Sequence, residues 1–438
     1  MVKIPSPTLT VTAPSLFRVC ICLLAAALSQ QAQAAENTRT GIFHEQCRTL
    51  TVTVDGNPQA PPVITLADPP GTLTVGFDML GDEREYLRYS IYHCNADWSI
   101  SNLTDMEVFD GFNLSDITDY AFSRATSVHY VHYSISLPND EFRFRLSGNY
   151  LLRVYPENAP EDIYLQVRFM VSETAANIRG QVDTATDIDY NDAHQQLSFT
   201  VDLANNAVRD PFNDLKVIVS QNNRTDNSVQ FTHPTRMSGS SAVYEHIPKL
   251  IFPAGNEYRR METVQITYPG MGVEDIEYHA PYYHHLLKTD TPRHSRPYAY
   301  DQTQHGRFLV REYNATDPDT EADYTVVHFT LEMLPLPDAE VYLEGDLTGR
   351  RLDESSRMIY DTEAGAYRKA LLLKQGAYNY QYLAAPHARA GKAFAGSTAQ
   401  VEGDKFQTVN EYEIAVYYRE PSERYDRLLG YTLLFSDH

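Results

Sequence analysis

The stretch Ile163-Tyr164-Leu165-Gln166-Val167-Arg168-Phe169-Met170-Val171 puts Ile163, Leu165, Val167, Phe169 and Val171 on one face of an extended chain. A helix would scatter these side chains around its circumference, whereas a strand collects them against a core. The same period of two recurs at 49–54, 73–77, 88–92, 197–203, 215–219, 326–331 and 414–418. Long amphipathic helical patterns are missing, and turn residues separate the short runs. The pattern predicts an all-β chain of antiparallel sandwiches rather than parallel α/β units. The 31 tyrosines and 18 phenylalanines agree, because aromatic side chains favour strands.

The first residues read as an export signal. Lys3 and Arg18 supply positive charge, residues 19–28 an apolar run, and Ala32-Gln33-Ala34 a small-residue cleavage site, which predicts a mature chain starting near Ala35. No apolar window reaches the roughly 20 residues of a spanning helix. Cys20 and Cys22 are expected to leave with the signal, so Cys47 and Cys94 remain. In an oxidising compartment they form either a single disulfide or two isolated buried thiols. Removing Lys3 and Arg18 takes the formal net charge from −22 to −24, which makes nucleic acid and anionic lipid poor partners.

Polar runs at 172–176 and 314–323 interrupt the alternation. They divide the expected sandwiches into 37–173, 174–315 and 318–420, with 421–438 as a tail. Ser147-Gly148-Asn149-Tyr150 and Gln375-Gly376-Ala377-Tyr378 resemble the Gly-x-Tyr strand starts of immunoglobulin-like sandwiches. Val341-Tyr342-Leu343-Glu344-Gly345-Asp346, followed later by Gly376 to Tyr382, resembles the early-set, glycogen-binding type, although no tryptophan follows the Gly-Asp turn.

The motifs of common catalysts are missing: there is no Gly-x-Ser-x-Gly, no Gly-rich phosphate loop and no Cys-x-x-Cys pair. Asp187-Ile188-Asp189-Tyr190-Asn191-Asp192 begins like a calcium loop, but Asp192 replaces the turn glycine and Ser198 stands where a bidentate glutamate is needed. Asp317, Asp319, Glu321 and Asp323 read as a solvated acidic linker before they read as a calcium site. His284 and His285 fall on opposite faces of a strand, which argues against zinc with His279. Neither a cofactor nor a metal is expected.

Several segments in order resemble the plug protein family of the type IX secretion system of Bacteroidetes. They include His93-Cys94-Asn95-Ala96-Asp97-Trp98, Phe109-Asp110-Gly111-Phe112, Leu146 to Tyr155, Phe252-Pro253-Ala254-Gly255-Asn256-Glu257-Tyr258-Arg259, and Arg424-Tyr425-Asp426-Arg427-Leu428-Leu429-Gly430. The resemblance implies a non-enzymatic periplasmic protein. Such a protein docks on the periplasmic mouth of the outer-membrane translocon barrel and seals its pore when no cargo is present. An exported carbohydrate-binding module or accessory of glycan processing is the alternative reading, motivated by the early-set-like third domain and its tyrosines.

Six residues stand out as candidates for interaction or for a structural network. His93, Asp97 and Trp98, the only tryptophan, sit at one strand end. Trp98 beside Cys94 reads first as core packing and second as a recognition corner. Asn256, Glu257 and Arg259 follow a Pro-Ala-Gly turn, where they can build a polar network or face a partner.

Overall fold

Every segment of period two folds as a strand in the computed structural model, which describes residues 38–203, 208–231, 233–387 and 394–436. The expected signal segment, with Cys20 and Cys22, lies outside the described residues. Strand makes up 48% of the described residues and helix 4%, which settles for them an all-β architecture of several mainly antiparallel sheets without a barrel. Among the described residues no helix is long and apolar enough to cross a membrane.

In the first unit, Cys47–Val54, Leu73–Leu80, Tyr130–Leu137 and Asp119–Phe122 form one sheet, in that order. The other holds Gly41–Ile42, Leu165–Ser172, Gly148–Pro156, Leu87–Cys94 and Ser115–Asp116, with Val63–Thr65 added in parallel to Leu165–Ser172. Alternation sends Val75, Phe77, Tyr133 and Ile135 from one sheet and Ile91, Leu152, Val167 and Phe169 from the other into one core. Each such side chain contributes on the order of 1.5–3 kcal/mol when fully buried. Tyr150 stacks on Phe169 with ring centroids 5.5 Å apart, and Phe144 meets Tyr150 edge-on at 4.9 Å, closing one end of this core.

Strand pairing in the rest of the chain crosses the boundaries expected at 315–318 and 420–421. Glu411–Tyr418 and Arg427–Phe435 return to pair beside Leu215–Gln221, and Tyr412, Ile414, Val416, Tyr418 and Leu429 join the buried core built from residues 176–252. Conversely, Arg259–Glu262 and Phe308–Val310 pair with Gly376–Pro386, while Val273–His279 and Tyr282–Leu287 extend the sheet of Tyr324–Glu332 and Ala366–Lys374. Met261, Val273 and Leu287 pack there with Phe329, Tyr380 and Tyr382. The expected tail is therefore the closing strand of the second unit, and the third unit is an insertion into the second. Alternation marks a strand but not its partner, and the polar runs that read as boundaries are polar for another reason.

Candidate functional site

That reason lies in the junctions between units, and the first of them is built on the corner at His93. Leu87–Cys94 pairs with Gly148–Pro156 so that His93 faces Tyr150 and Cys94 faces Asn149. Alternation places His93 on the core side after Leu87, Tyr89 and Ile91. Its imidazole is 4% exposed; Nε2 lies 3.1 Å from the Ser147 carbonyl oxygen and Nδ1 3.0 Å from Ser101 Oγ. A carbonyl only accepts, so Nε2 carries the proton and Nδ1 accepts from the hydroxyl. Burial pushes the His93 pKa down to about 4, outweighing the Ser147 carbonyl and the Asp426 carboxylate. Gly148 has φ +137°, and a Cβ there would stand 2.5 Å from His93 Nε2, so glycine lets the strand start against the ring.

Beyond Cys94 the chain turns. Trp98 adopts φ +65°, and Asp97 caps the turn by accepting from Ser99 N–H at 3.0 Å and Ser99 Oγ at 2.6 Å. Core packing of Trp98 is not what the structure shows: the indole is half-buried, and the Arg168 guanidinium lies 4.5 Å from its ring centroid. The left-handed turn swings it off the strand before it can join the core.

The corner is occupied by the protein's own C-terminal strands. Ala96 N–H donates to Asp426 Oδ2 at 3.0 Å, and Asp426 also accepts from Lys216 Nζ and Arg419 Nε, each at 2.9 Å. Tyr417 OH donates to Asn149 Oδ1 at 2.7 Å, and Arg427 grips Glu173 through bonds of 2.9 and 2.6 Å. Ala96, Ala415, Tyr417 and Leu428 pack beneath these bonds. An open cleft of about 400 Å³ beside them is lined by Arg145, Ser147, Glu173, Glu423, Tyr425 and Arg427.

A second junction joins the first unit to the third. Asp78, fully buried in the Leu73–Leu80 strand, accepts from Lys374 Nζ at 2.6 Å, Tyr324 OH at 2.6 Å and His132 Nδ1 at 2.7 Å. The Lys374 ammonium also lies 4.1 Å from the Tyr130 ring centroid. The acidic run 317–323 is no solvated linker. Asp323 accepts from Ser127 N–H at 2.6 Å and Val128 N–H at 3.0 Å, and Glu321 pairs with Arg124 at 2.9 Å.

The third junction holds the remaining candidates. Glu402, fully buried, accepts from Arg259 Nε and Nη2, both at 3.1 Å, and from Arg293 Nε at 2.5 Å. Arg259 Nη1 reaches Asp290 at 2.6 Å. Asn256 donates to the Glu402 carbonyl at 2.9 Å, and Glu257 accepts from Tyr298 OH at 2.7 Å and Val409 N–H at 3.1 Å. Asn256, Glu257 and Arg259 thus share one buried polar network, apart from His93, Asp97 and Trp98. Nearby, Arg350 binds Glu344 at 3.0 Å and Asp346 at 2.6 Å and donates to the Asn222 carbonyl of the second unit at 2.7 Å. Arg307 clamps Glu411 at 2.6 Å.

Glu413 belongs to the same region. Its Oε2 accepts from Ser220 Oγ at 3.0 Å while Oε1 has no partner, and burial, then the Glu411 charge, raise its pKa to about 7. A folded-state pKa above the unfolded one adds stability below about pH 4.5 that is lost as pH rises through about 7. Glu413→Gln should therefore match wild type near pH 4.5 and be more stable at pH 8, by about 3 kcal/mol. Thermal melts across this pH range read the difference.

No disulfide joins Cys47 and Cys94, which are both free and buried. Cys47 faces the core of the first unit, whereas Cys94 follows Arg88, Ser90 and Tyr92 on the outer face of the opposite sheet, so that sheet separates them. Burial raises the Cys94 thiol to about 12 and Cys47 further. Among the described residues no group of three His, Cys, Asp or Glu is placed to hold a metal ion. In the 187–192 loop, Asp189 binds His194 at 2.6 Å and Asp187 accepts from Gln196 at 2.7 Å. His284 and His285 do point apart, His284 to His328 at 2.8 Å and His285 to the Gln265 carbonyl at 3.1 Å.

A family model described as the type 9 secretion system plug protein first domain matches residues 47–173, which include the His93 strand and its partner Gly148–Pro156. The chain belongs to the type 9 secretion system plug protein family. It is also similar to a hypothetical protein from Parabacteroides merdae ATCC 43184, known from a crystal structure. The two share 45% identity and a TM-score of 0.88, covering 91% of this chain and 99% of that one. Among curated proteins no match is found. The family match contains His93, Asp97 and Trp98. Asn256, Glu257 and Arg259 lie outside it. As a plug-family protein the chain is a component of type IX secretion and of the cell envelope.

Asp78, Lys374, Lys216 and Asp426 were not singled out from the sequence. Their signal was present in part: Asp78 interrupts Val75-Gly76-Phe77-Asp78-Met79-Leu80, and Lys374 ends Leu371-Leu372-Leu373-Lys374. A lone charge inside an apolar strand calls for a buried partner.

Proposed function

We propose that this protein is a non-enzymatic periplasmic plug that docks on the periplasmic opening of the type IX outer-membrane translocon barrel and seals it when no cargo is present. One observation carries the reading: buried and half-buried polar contacts fasten the three sandwiches to one another, Asp78–Lys374 between the first and third, Ala96–Asp426 and Glu173–Arg427 between the first and second, and Arg307–Glu411 between the third and second. A stopper for a pore wide enough to pass folded cargo has to resist bending. Sandwiches give stiffness within each unit, and the junctions extend it across the units. Docking is reversible because cargo, or a partner, needs only to bind the open state better than the closed one.

The glycan-binding alternative gains no support from the Tyr278–Tyr283 pair. Exposed Tyr278 and its neighbour Tyr283 are inclined by 49° and so form no flat platform for a sugar ring. The Gly345 to Arg350 turn is occupied by ion pairs. Affinity purification of the tagged, full-length protein from native membranes tests the reading. The barrel should co-purify from idle, cargo-free complexes; an eluate without it contradicts the proposal.

A further inference from the structure

Phe112 and Leu114 are 82% and 57% exposed, yet the chain that carries them is pinned on both sides. Asn113 Oδ1 accepts the Ile91 N–H and its Nδ2 donates to the Ile91 carbonyl, both at 2.7 Å. These are the two bonds that a residue on a neighbouring strand would make. Before it, Phe109–Gly111 pairs with Phe142–Phe144, and Gly111, at φ +118°, sits so close that a Cβ would meet the Glu141 carbonyl oxygen at 1.8 Å. After it, Ser115–Asp116 pairs with Leu87–Cys94, and Arg88 holds Asp116 at 2.6 Å. With Asn113 turned into the sheet, Phe112 and Leu114 are turned out to solvent. A mobile loop would be free to fold its large apolar side chains back; this one is held so that it cannot. Presenting two such side chains on a fixed backbone lowers the ordering cost of binding and suits an interface anchor.

The surroundings say what the anchor fits. Asp97, Asp105, Glu107, Asp110, Asp116 and Asp119 punctuate residues 97–119, which contain no lysine or arginine; Arg424, Arg145 and Arg88 pair with Glu107, Asp110 and Asp116, and Asp97, Asp105 and Asp119 remain in excess. An excess of negative charge repels anionic phospholipid, and a twofold pair of this chain would set that excess against itself. We infer that Phe112 and Leu114 insert into an apolar pocket rimmed by lysine and arginine on the barrel's periplasmic face, an assignment that rests on the proposed function.

The test uses tagged full-length protein in cells lacking the native copy, as wild type and as Phe112→Ser with Leu114→Ser. Barrel recovered from membranes is identified by mass, and melting temperature reports the fold. The double variant should melt like wild type and recover at least about tenfold less barrel. A photo-crosslinking amino acid at position 112 should give a barrel adduct, which keeps the test decisive if the double variant folds poorly. Equal recovery by the variant, or no barrel adduct from position 112, overturns the anchor and leaves the plug reading standing. Wild-type binding to phosphatidylethanolamine and phosphatidylglycerol vesicles, or self-association, that the variant loses would assign the anchor to membrane or to a second copy and also overturns it. A wild type that recovers no barrel removes the plug reading itself, and the anchor with it.

Discussion

Lys374→Met is expected to destabilise the protein by about 3–5 kcal/mol, because it leaves the Asp78 carboxylate buried without its cation. Asp78 is 0% and Lys374 1% exposed, and their 2.6 Å contact lies where the first unit meets the third. Tyr324 and His132 remain as hydrogen-bond donors, but a tyrosine hydroxyl carries no charge to balance the carboxylate. Replacing both partners, Asp78→Leu with Lys374→Met, removes the two charges together and should recover most of the loss. Urea unfolding of the two single variants and the double variant measures the coupling. A single variant within about 0.5 kcal/mol of wild type would mean that the pair does not fasten the units. Local opening should appear first at the acidic segment 317–323, as faster proteolysis there.

Asp426→Ala is expected to cost about 1–3 kcal/mol at neutral pH, since it leaves the buried Ala96 N–H without its acceptor and removes the anion that Lys216 and Arg419 share, both of which keep contact with solvent. Burial acts to raise the Asp426 pKa, yet the Lys216 hydrogen bond, the Ala96 N–H and the Arg419 hydrogen bond hold it below the usual carboxylate value. A depressed folded-state pKa contributes stability above the unfolded value, about 4, and this stability is lost as pH falls through the folded one. The gap between variant and wild type should therefore close in acid. Amide hydrogen exchange at residues 95–99 should quicken in the variant at pH 7. An unchanged exchange rate there would detach the His93 corner from the C-terminal strands.

Strands were legible in the sequence because a period of two is a local property. Partners were not, because pairing is decided by residues far apart in the chain. The strand Arg427–Phe435 shows both limits: Leu428-Leu429-Gly430-Tyr431 does not alternate cleanly, and its neighbour's register shifts between Val416 and Tyr417. It therefore read as a tail. Asp323 sits in a polar run that reads as a linker and Asp426 in the expected tail, whereas each uses its carboxylate to hold a distant segment of backbone. Trp98 was conspicuous through its scarcity alone; its left-handed turn and its place against Arg168 depend on a sheet that forms elsewhere. The network of Asn256, Glu257 and Arg259 was partly visible, since three polar residues after a turn invite mutual satisfaction. Glu402, which completes it, lies far along the chain.

Permeability of the outer membrane to a large, normally excluded antibiotic tests the sealing role most directly. Three strains suffice: the parent, one lacking this protein, and one lacking both this protein and the translocon barrel. Entry should rise only in the strain that keeps the barrel without the plug, and the wild-type protein supplied in trans should reverse it. Equal exclusion in all three strains would contradict the account.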